Sequence, residues 1–215
     1  MLTLHTYFRS SASYRVRIAL ELKSLTYESV PVHLVRSDGE QHSTSFAALN
    51  PAQLVPVLSH DGITLTQSMA IIEYLEETHS TPALLPGGAA SRARIRSIAQ
   101  SIACEIHPLN NLRVLQRLES DAGMDKDARN RWYAHWVTEG FSALEATLGS
   151  SAETGRFCHG DSPTMADCCL VPQIYNAERF AVSIEPYPIL QRINTACLQL
   201  QAFQRAAPEA QADAP

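Results

Sequence analysis

Tyr7-Phe8-Arg9-Ser10-Ser11-Ala12-Ser13-Tyr14-Arg15-Val16-Arg17-Ile18-Ala19-Leu20 reads as the end of a strand, a hydroxyl-rich turn and the opening of an amphipathic helix. Before the turn, Leu2, Leu4 and Thr6 alternate with Thr3, His5 and Tyr7, the period of two that suits a strand. After it, Val16, Ala19 and Leu20 fall on one helical face, which leaves Arg15, Arg17 and Glu21 for the other. Serines at a helix start can accept from its free backbone N–H groups, and that end carries the positive pole of the helix dipole. The turn is therefore either a plain cap or a place to hold an anion.

Further along, Leu25 to Val32 predicts a second strand stopped by proline, so the chain opens β-α-β with two parallel strands. Phe46-Ala47-Ala48-Leu49-Asn50 predicts a short helix that ends before Pro51. Asp61-Gly62, between the apolar runs Leu54–Leu58 and Ile63–Thr66, is a hairpin signal. Pro56 has no N–H to donate, is awkward inside an interior strand and fits better where it begins the strand, at its edge. A cis Val55-Pro56 bond would turn the Val55 backbone toward a ligand. Ser68, Ile71, Ile72 and Leu75 mark one face of a helix that starts at Gln67-Ser68.

The resulting order, β-α-β-α-β-β-α, fills residues 1–80. The Pro- and Gly-rich stretch from His79 to Gly88 has linker composition and places the domain junction at 81–88. Through 89–215 the strand signals nearly vanish. Ile95, Ile98, Ile102 and Leu109 predict a helix kinked at Pro108, and Trp132, Trp136, Phe141, Leu144 and Leu148 a second long one. Thr164 and Asp167 have capping-box spacing and open a helix that buries Leu170, Val171 and Ile174, distorted locally by Pro172. Ile189, Ile193 and Leu200 predict one more helix, and the alanine- and proline-rich Arg205 to Pro215 a tail that passes from ordered to frayed.

The formal charge is -5, and the 17 Lys and Arg residues form no block, which argues against nucleic acid or an anionic membrane as partner. No apolar run has the length of a membrane span, and a soluble cytoplasmic protein is expected. The 5 cysteines are odd in number and include the adjacent pair Cys168-Cys169, a poor disulfide framework, so reduced thiols are expected. Cys104 and His107 stand three apart, but two ligands do not make a metal site, and none is expected.

The turn Ser10-Ser11-Ala12-Ser13-Tyr14-Arg15-Val16-Arg17-Ile18-Ala19-Leu20 resembles that of the zeta-class glutathione transferases. The resemblance continues through Phe46-Ala47-Ala48-Leu49-Asn50-Pro51, Gln67-Ser68-Met69-Ala70-Ile71-Ile72-Glu73-Tyr74-Leu75-Glu76-Glu77, Thr164-Met165-Ala166-Asp167, Val171-Pro172-Gln173 and Asn176-Ala177-Glu178-Arg179-Phe180. It implies a thioredoxin-like α/β N-terminal domain, an all-α C-terminal domain and a homodimer. The class isomerises maleylacetoacetate to fumarylacetoacetate, or maleylpyruvate to fumarylpyruvate, with glutathione used catalytically. A thiolate adds to the cis alkene, the bond rotates, and the thiolate leaves.

The resemblance makes Ser10 the donor that stabilises the thiolate, with Ser11 second. It assigns glutathione to Ser10, Ser11, Ala12, Ser13, Tyr14, Arg15, Gln41, Val55, Pro56, Gln67, Ser68, His107, Asn111, Leu112 and Arg113. Gln67 and Ser68 would take the γ-glutamyl carboxylate, Val55 the cysteinyl backbone, and Gln41 would lie near the glycine end. Arg9 and Arg179 would bind carboxylates of a maleyl-keto substrate. Two departures stand out. Ala12 replaces the cysteine usual in maleylacetoacetate isomerases. Leu112 stands where maleylpyruvate enzymes, which share His107, carry an arginine, and Arg113 beside it points about 100° away on a helix. The alternatives are a broader transferase acting on α-halo acids and a non-catalytic interaction module.

Overall fold

The computed structural model describes residues 1–215 apart from the Ser37 side chain. The chain divides into two compact units, one of Met1–Leu84 with Leu198–Pro215, the other of Leu85–Cys197. The sequence reading placed everything after residue 88 in the helical domain, whereas the last eighteen residues belong to the first unit. They form helix α9 (Gln201–Ala206) and a 3-10 turn at Pro208–Ala210.

The first unit holds a mixed four-stranded sheet. Its strands are β1 (Leu2–Thr6), β2 (Tyr27–Pro31), β3 (Val57–His60) and β4 (Ile63–Thr66), in the order β2-β1-β3-β4. β1 runs parallel to β2 and antiparallel to β3, and β3 forms the expected hairpin with β4. Strand β3 is interior, and Pro56 meets its constraint by standing immediately before the strand. The Val55-Pro56 bond is cis.

Helices α1 (Ser11–Leu22), α2 (Thr44–Leu49) and α3 (Ser68–Thr78) complete the order read from the sequence. In α1, Val16, Ile18 and Leu20 are fully buried, each stabilising by about 1.5–3 kcal/mol. Arg15 and Arg17 do not face solvent as their spacing suggested; both are buried. A buried guanidinium must find acceptors, and Arg17 finds the carbonyls of Tyr7, Phe8 and Ala206 and the Thr6 hydroxyl. α9, packed along α1, supplies one of them. Lys23 is buried too. Its ammonium meets Glu76 at 2.8 Å and the carbonyls of His79 and Pro82, pinning the segment after α3 to the end of α1.

The second unit is helical: α4 (Ala89–Gln100), α5 (Leu112–Ala122), α6 (Lys126–Gly149), α7 (Met165–Arg179) and α8 (Pro188–Leu198). The kink predicted at Pro108 is a π-helical segment, Ser101–Ile106, followed by a 3-10 turn that Pro108 begins. Gly140 of α6 lets Ile106 approach so closely that a Cβ there would stand 2.3 Å from Ile106 Cδ1. Helix α7 carries Pro172 without interruption, and Leu200 falls beyond the end of α8. No helix among the described residues is long and apolar enough to cross a membrane.

Candidate active site

Ser10 caps α1: its Oγ accepts from Ser13 N at 3.2 Å. A hydroxyl has two lone pairs and one proton. Capping uses a lone pair, so the Ser10 proton remains available to a neighbouring anion. The turn is tied down by Ser10 N donating to the Tyr7 carbonyl and Tyr14 N to the Ser10 carbonyl. Ser10 is half-buried, as is Ala12, while Ser11 is buried and Ser13 and Tyr14 are core residues. The Ser13 and Tyr14 side chains are packed inside the first unit.

Arg9 is exposed, with its guanidinium 5.0 Å from the Phe8 ring centroid and Nη2 donating to Tyr7 Oη at 3.1 Å. Among the described residues it has no carboxylate partner, so a surface ion pair does not account for it. An aromatic face and a neutral phenol aim the cation and leave its charge uncompensated.

Two further elements of the first unit carry assigned residues. At the start of α3, Gln67 has φ 69, a left-handed conformation costing about 1–3 kcal/mol, of the sort that gathers at functional sites. Ser68 is buried behind it and accepts from Arg15 Nη1 at 3.3 Å. A cation thus lies beneath a helix N-terminus, and both favour an anion there. That Arg15–Ser68 link was not legible in the sequence, because it joins residues 53 apart. Val55 lies just before β3, and its backbone makes no hydrogen bond to the described chain. Gln41 is buried with its amide beneath Gly39, where any Cβ would clash at 2.4 Å. Gly39, at φ 97, is favoured by its backbone conformation, and a side chain there would displace the Gln41 amide.

In the helical unit the turn after the π-helical segment brings His107 and Asn111 together, Asn111 Nδ2 lying 3.4 Å from His107 Nε2. Asn111 also caps α5 through Arg113 N, and Trp132 Nε1 fixes the turn by donating to the Leu109 carbonyl. Leu112 and Arg113 are both exposed. Arg179 is exposed at the end of α7, held by Asn176 Oδ1 at 2.8 Å and the Phe180 ring, again with no carboxylate among the described residues.

The family model for the glutathione S-transferase N-terminal domain matches residues 1–77. Over 99% of the chain the sequence is 49% identical to maleylacetoacetate isomerase of Rattus norvegicus, covering 94% of that protein. A holo structure of maleyl pyruvate isomerase, described as a bacterial zeta-class glutathione S-transferase, superposes with a TM-score of 0.96 at 47% identity, covering 99% of this chain and 100% of that one. The chain belongs to the zeta-class glutathione transferases. Maleylacetoacetate isomerase of Methylobacterium extorquens AM1, solved with bound malonate and glutathione, is also similar, with a TM-score of 0.95, 41% identity and 99% of both chains covered.

In this zeta-class chain Ala12 leaves no thiol on the turn, and the other cysteines lie elsewhere. Cys104 is exposed; Cys158, Cys168, Cys169 and Cys197 are buried. Burial pushes the Cys158 and Cys197 thiols up, with the nearby Asp167 carboxylate adding to it, and so keeps them protonated. Titration with a disulfide reagent is expected to modify one thiol, Cys104, rapidly in the native protein and the other four only on unfolding. Rapid modification of two or more would contradict this burial.

Proposed function

We propose that this protein is a glutathione-dependent cis-trans isomerase converting maleylacetoacetate to fumarylacetoacetate, working as a cytoplasmic homodimer. The observation that carries the reading is a Ser10 hydroxyl with a proton still to donate, next in sequence to an Arg9 guanidinium with no carboxylate of its own. One suits a thiolate and the other a substrate carboxylate. The residues of the first unit fit glutathione: the Val55 backbone offers an unused N–H and C=O, and the α3 N-terminus with Arg15 behind Ser68 suits the γ-glutamyl carboxylate.

Bound glutathione supplies the thiolate that adds reversibly to the alkene and so permits rotation. Ser10 donates to that sulfur and favours its ionised form, which serves both attack and departure. Arg9 and Arg179 bind and orient the dicarboxylate. Ser11, Ala12, Ser13, Tyr14, Arg15, Gln41, Pro56, Gln67, His107, Asn111, Leu112 and Arg113 remain proposed glutathione contacts by family resemblance. A second reading, maleylpyruvate as substrate, draws on the His107–Asn111 pair, since the histidine recurs in maleylpyruvate enzymes.

The test is turnover of both substrates with and without glutathione. Isomerisation that requires glutathione is expected; none with either substrate would overturn the reading. In the same assay Arg9→Ala is expected to raise the KM for the maleyl substrate by roughly 10–100-fold, the worth of a charge-assisted hydrogen bond, and leave the KM for glutathione unchanged.

A further inference from the structure

The loop carrying Arg9 and Ser10 is held through the backbone groups of Phe8. The Phe8 N–H donates to Asp213 Oδ2 at 3.0 Å, and its carbonyl accepts from Arg17 Nη2 at 2.8 Å. The N–H stands past the end of β1, where no strand offers it an acceptor, and Phe8 is buried. A buried N–H without a partner is costly, so the acceptor has to come from elsewhere. It comes from a residue 205 positions away.

Asp213 belongs to an ordered C-terminal segment. Gln211 Nε2 donates to the carbonyls of Arg205 and Ala207, both at 2.9 Å, and Ala214 N donates to the Gln211 carbonyl. Ala214 packs on the apolar cluster that includes Tyr7, Phe8 and Val55. The same segment reaches the loop a second time: Arg17 Nε donates to the Ala206 carbonyl while its other nitrogens hold Tyr7 and Phe8. One direct bond from Phe8 to Asp213 and one relay through Arg17 therefore tie the C-terminal segment to the residues immediately before Arg9 and Ser10.

We propose that Asp213 is a positioning residue for the thiolate turn, acting through the Phe8 N–H to fix where Arg9 and Ser10 stand. This rests on the reading of Ser10 as the thiolate's donor. The Ser10 N–H is bonded to the Tyr7 carbonyl, so a shift of the Phe8 peptide is carried directly to Ser10. Displacements of about 1 Å can cost 10²-fold in rate, so even a partial loss of this anchor is visible in turnover.

The test compares native full-length protein with Asp213→Ala and Asp213→Asn. Amide hydrogen exchange across residues 7–11, followed without glutathione, is expected to speed up roughly tenfold in the alanine variant. The thiol pKa of bound glutathione, read from thiolate absorbance, is expected to rise, and kcat to fall roughly tenfold while glutathione affinity stays within about threefold. Asp213→Asn keeps an oxygen acceptor and is expected to rescue all three. If Asp213→Ala cannot be purified folded, Asp213→Val, which withdraws the acceptor without loss of volume, carries the same expectation. Unchanged exchange at residues 7–11, or a lower melting temperature with native thiol pKa and kcat, overturns the proposal. Exchange needs no substrate, so if the native protein fails to isomerise, the proposed function falls while the anchor is still decided.

Discussion

Ser10→Ala is expected to lower kcat by roughly 10²–10³-fold, the usual loss when one donor to a reacting anion is removed, and to raise the thiol pKa of bound glutathione. The difficulty is that Ser10 is also the cap of α1, so activity could fall because the helix end loosens. The two roles separate by choice of variant. Losing a serine cap to alanine costs about 1 kcal/mol of stability, whereas glycine at a cap costs only a few tenths. Ser10→Gly therefore leaves stability near native yet removes the hydroxyl, and it is expected to lose as much kcat as Ser10→Ala. Ser10→Thr keeps both functions and is expected to keep most of the activity. Glycine activity close to native would show that Ser10 is a cap and nothing more, and Ser11 would then have to be tested as donor.

Replacing Asp167 with alanine is expected to destabilise the protein by about 3–5 kcal/mol, measured as a shift in the urea midpoint at constant m-value. Asp167 is fully buried and accepts from Thr164 N and Thr164 Oγ1, both at 2.8 Å, and from Cys158 N at 2.9 Å. Those contacts close the capping box of α7 and tie the 158 turn to it. Alanine strands three buried donors at once, and each unmet donor costs about 1–3 kcal/mol. Asparagine keeps one oxygen and is expected to lose less. A loss under about 1 kcal/mol for alanine would mean that water or a shifted turn satisfies the donors.

The Asp167 carboxyl also gives a pH signature. Burial raises its pKa, against hydrogen bonds from Cys158 and Thr164 that lower it. The folded chain thus holds this proton more tightly than the unfolded one. That contribution to stability is complete below the unfolded value near 3.8 and is lost as pH rises through the folded pKa. The stability gap between the native protein and Asp167→Asn is therefore expected to narrow as pH rises. A widening gap would reverse the assignment.

Local chemistry made much of this chain legible. The alternation of Leu2, Leu4 and Thr6, the Asp61-Gly62 hairpin, the caps at Ser10 and Thr164 and the buried face of α3 each depend on neighbours within a few positions. The set of motifs from Ser10 to Phe180 was specific enough to give the family, and Ala12 showed that the turn itself carries no thiol. What only the tertiary structure decided depends on residues far apart in the chain. Arg15 and Arg17 read as solvent-facing by helical spacing, yet their acceptors arrive from α3 and from the C-terminal segment. Ile106, the last residue of the π-helical segment before His107, packs against the bare Gly140 on another helix, a contact that no local pattern around Pro108 reveals. Asp213 looked like part of a loose alanine- and proline-rich end. It became an anchor because Phe8 has a buried N–H that its own strand cannot satisfy.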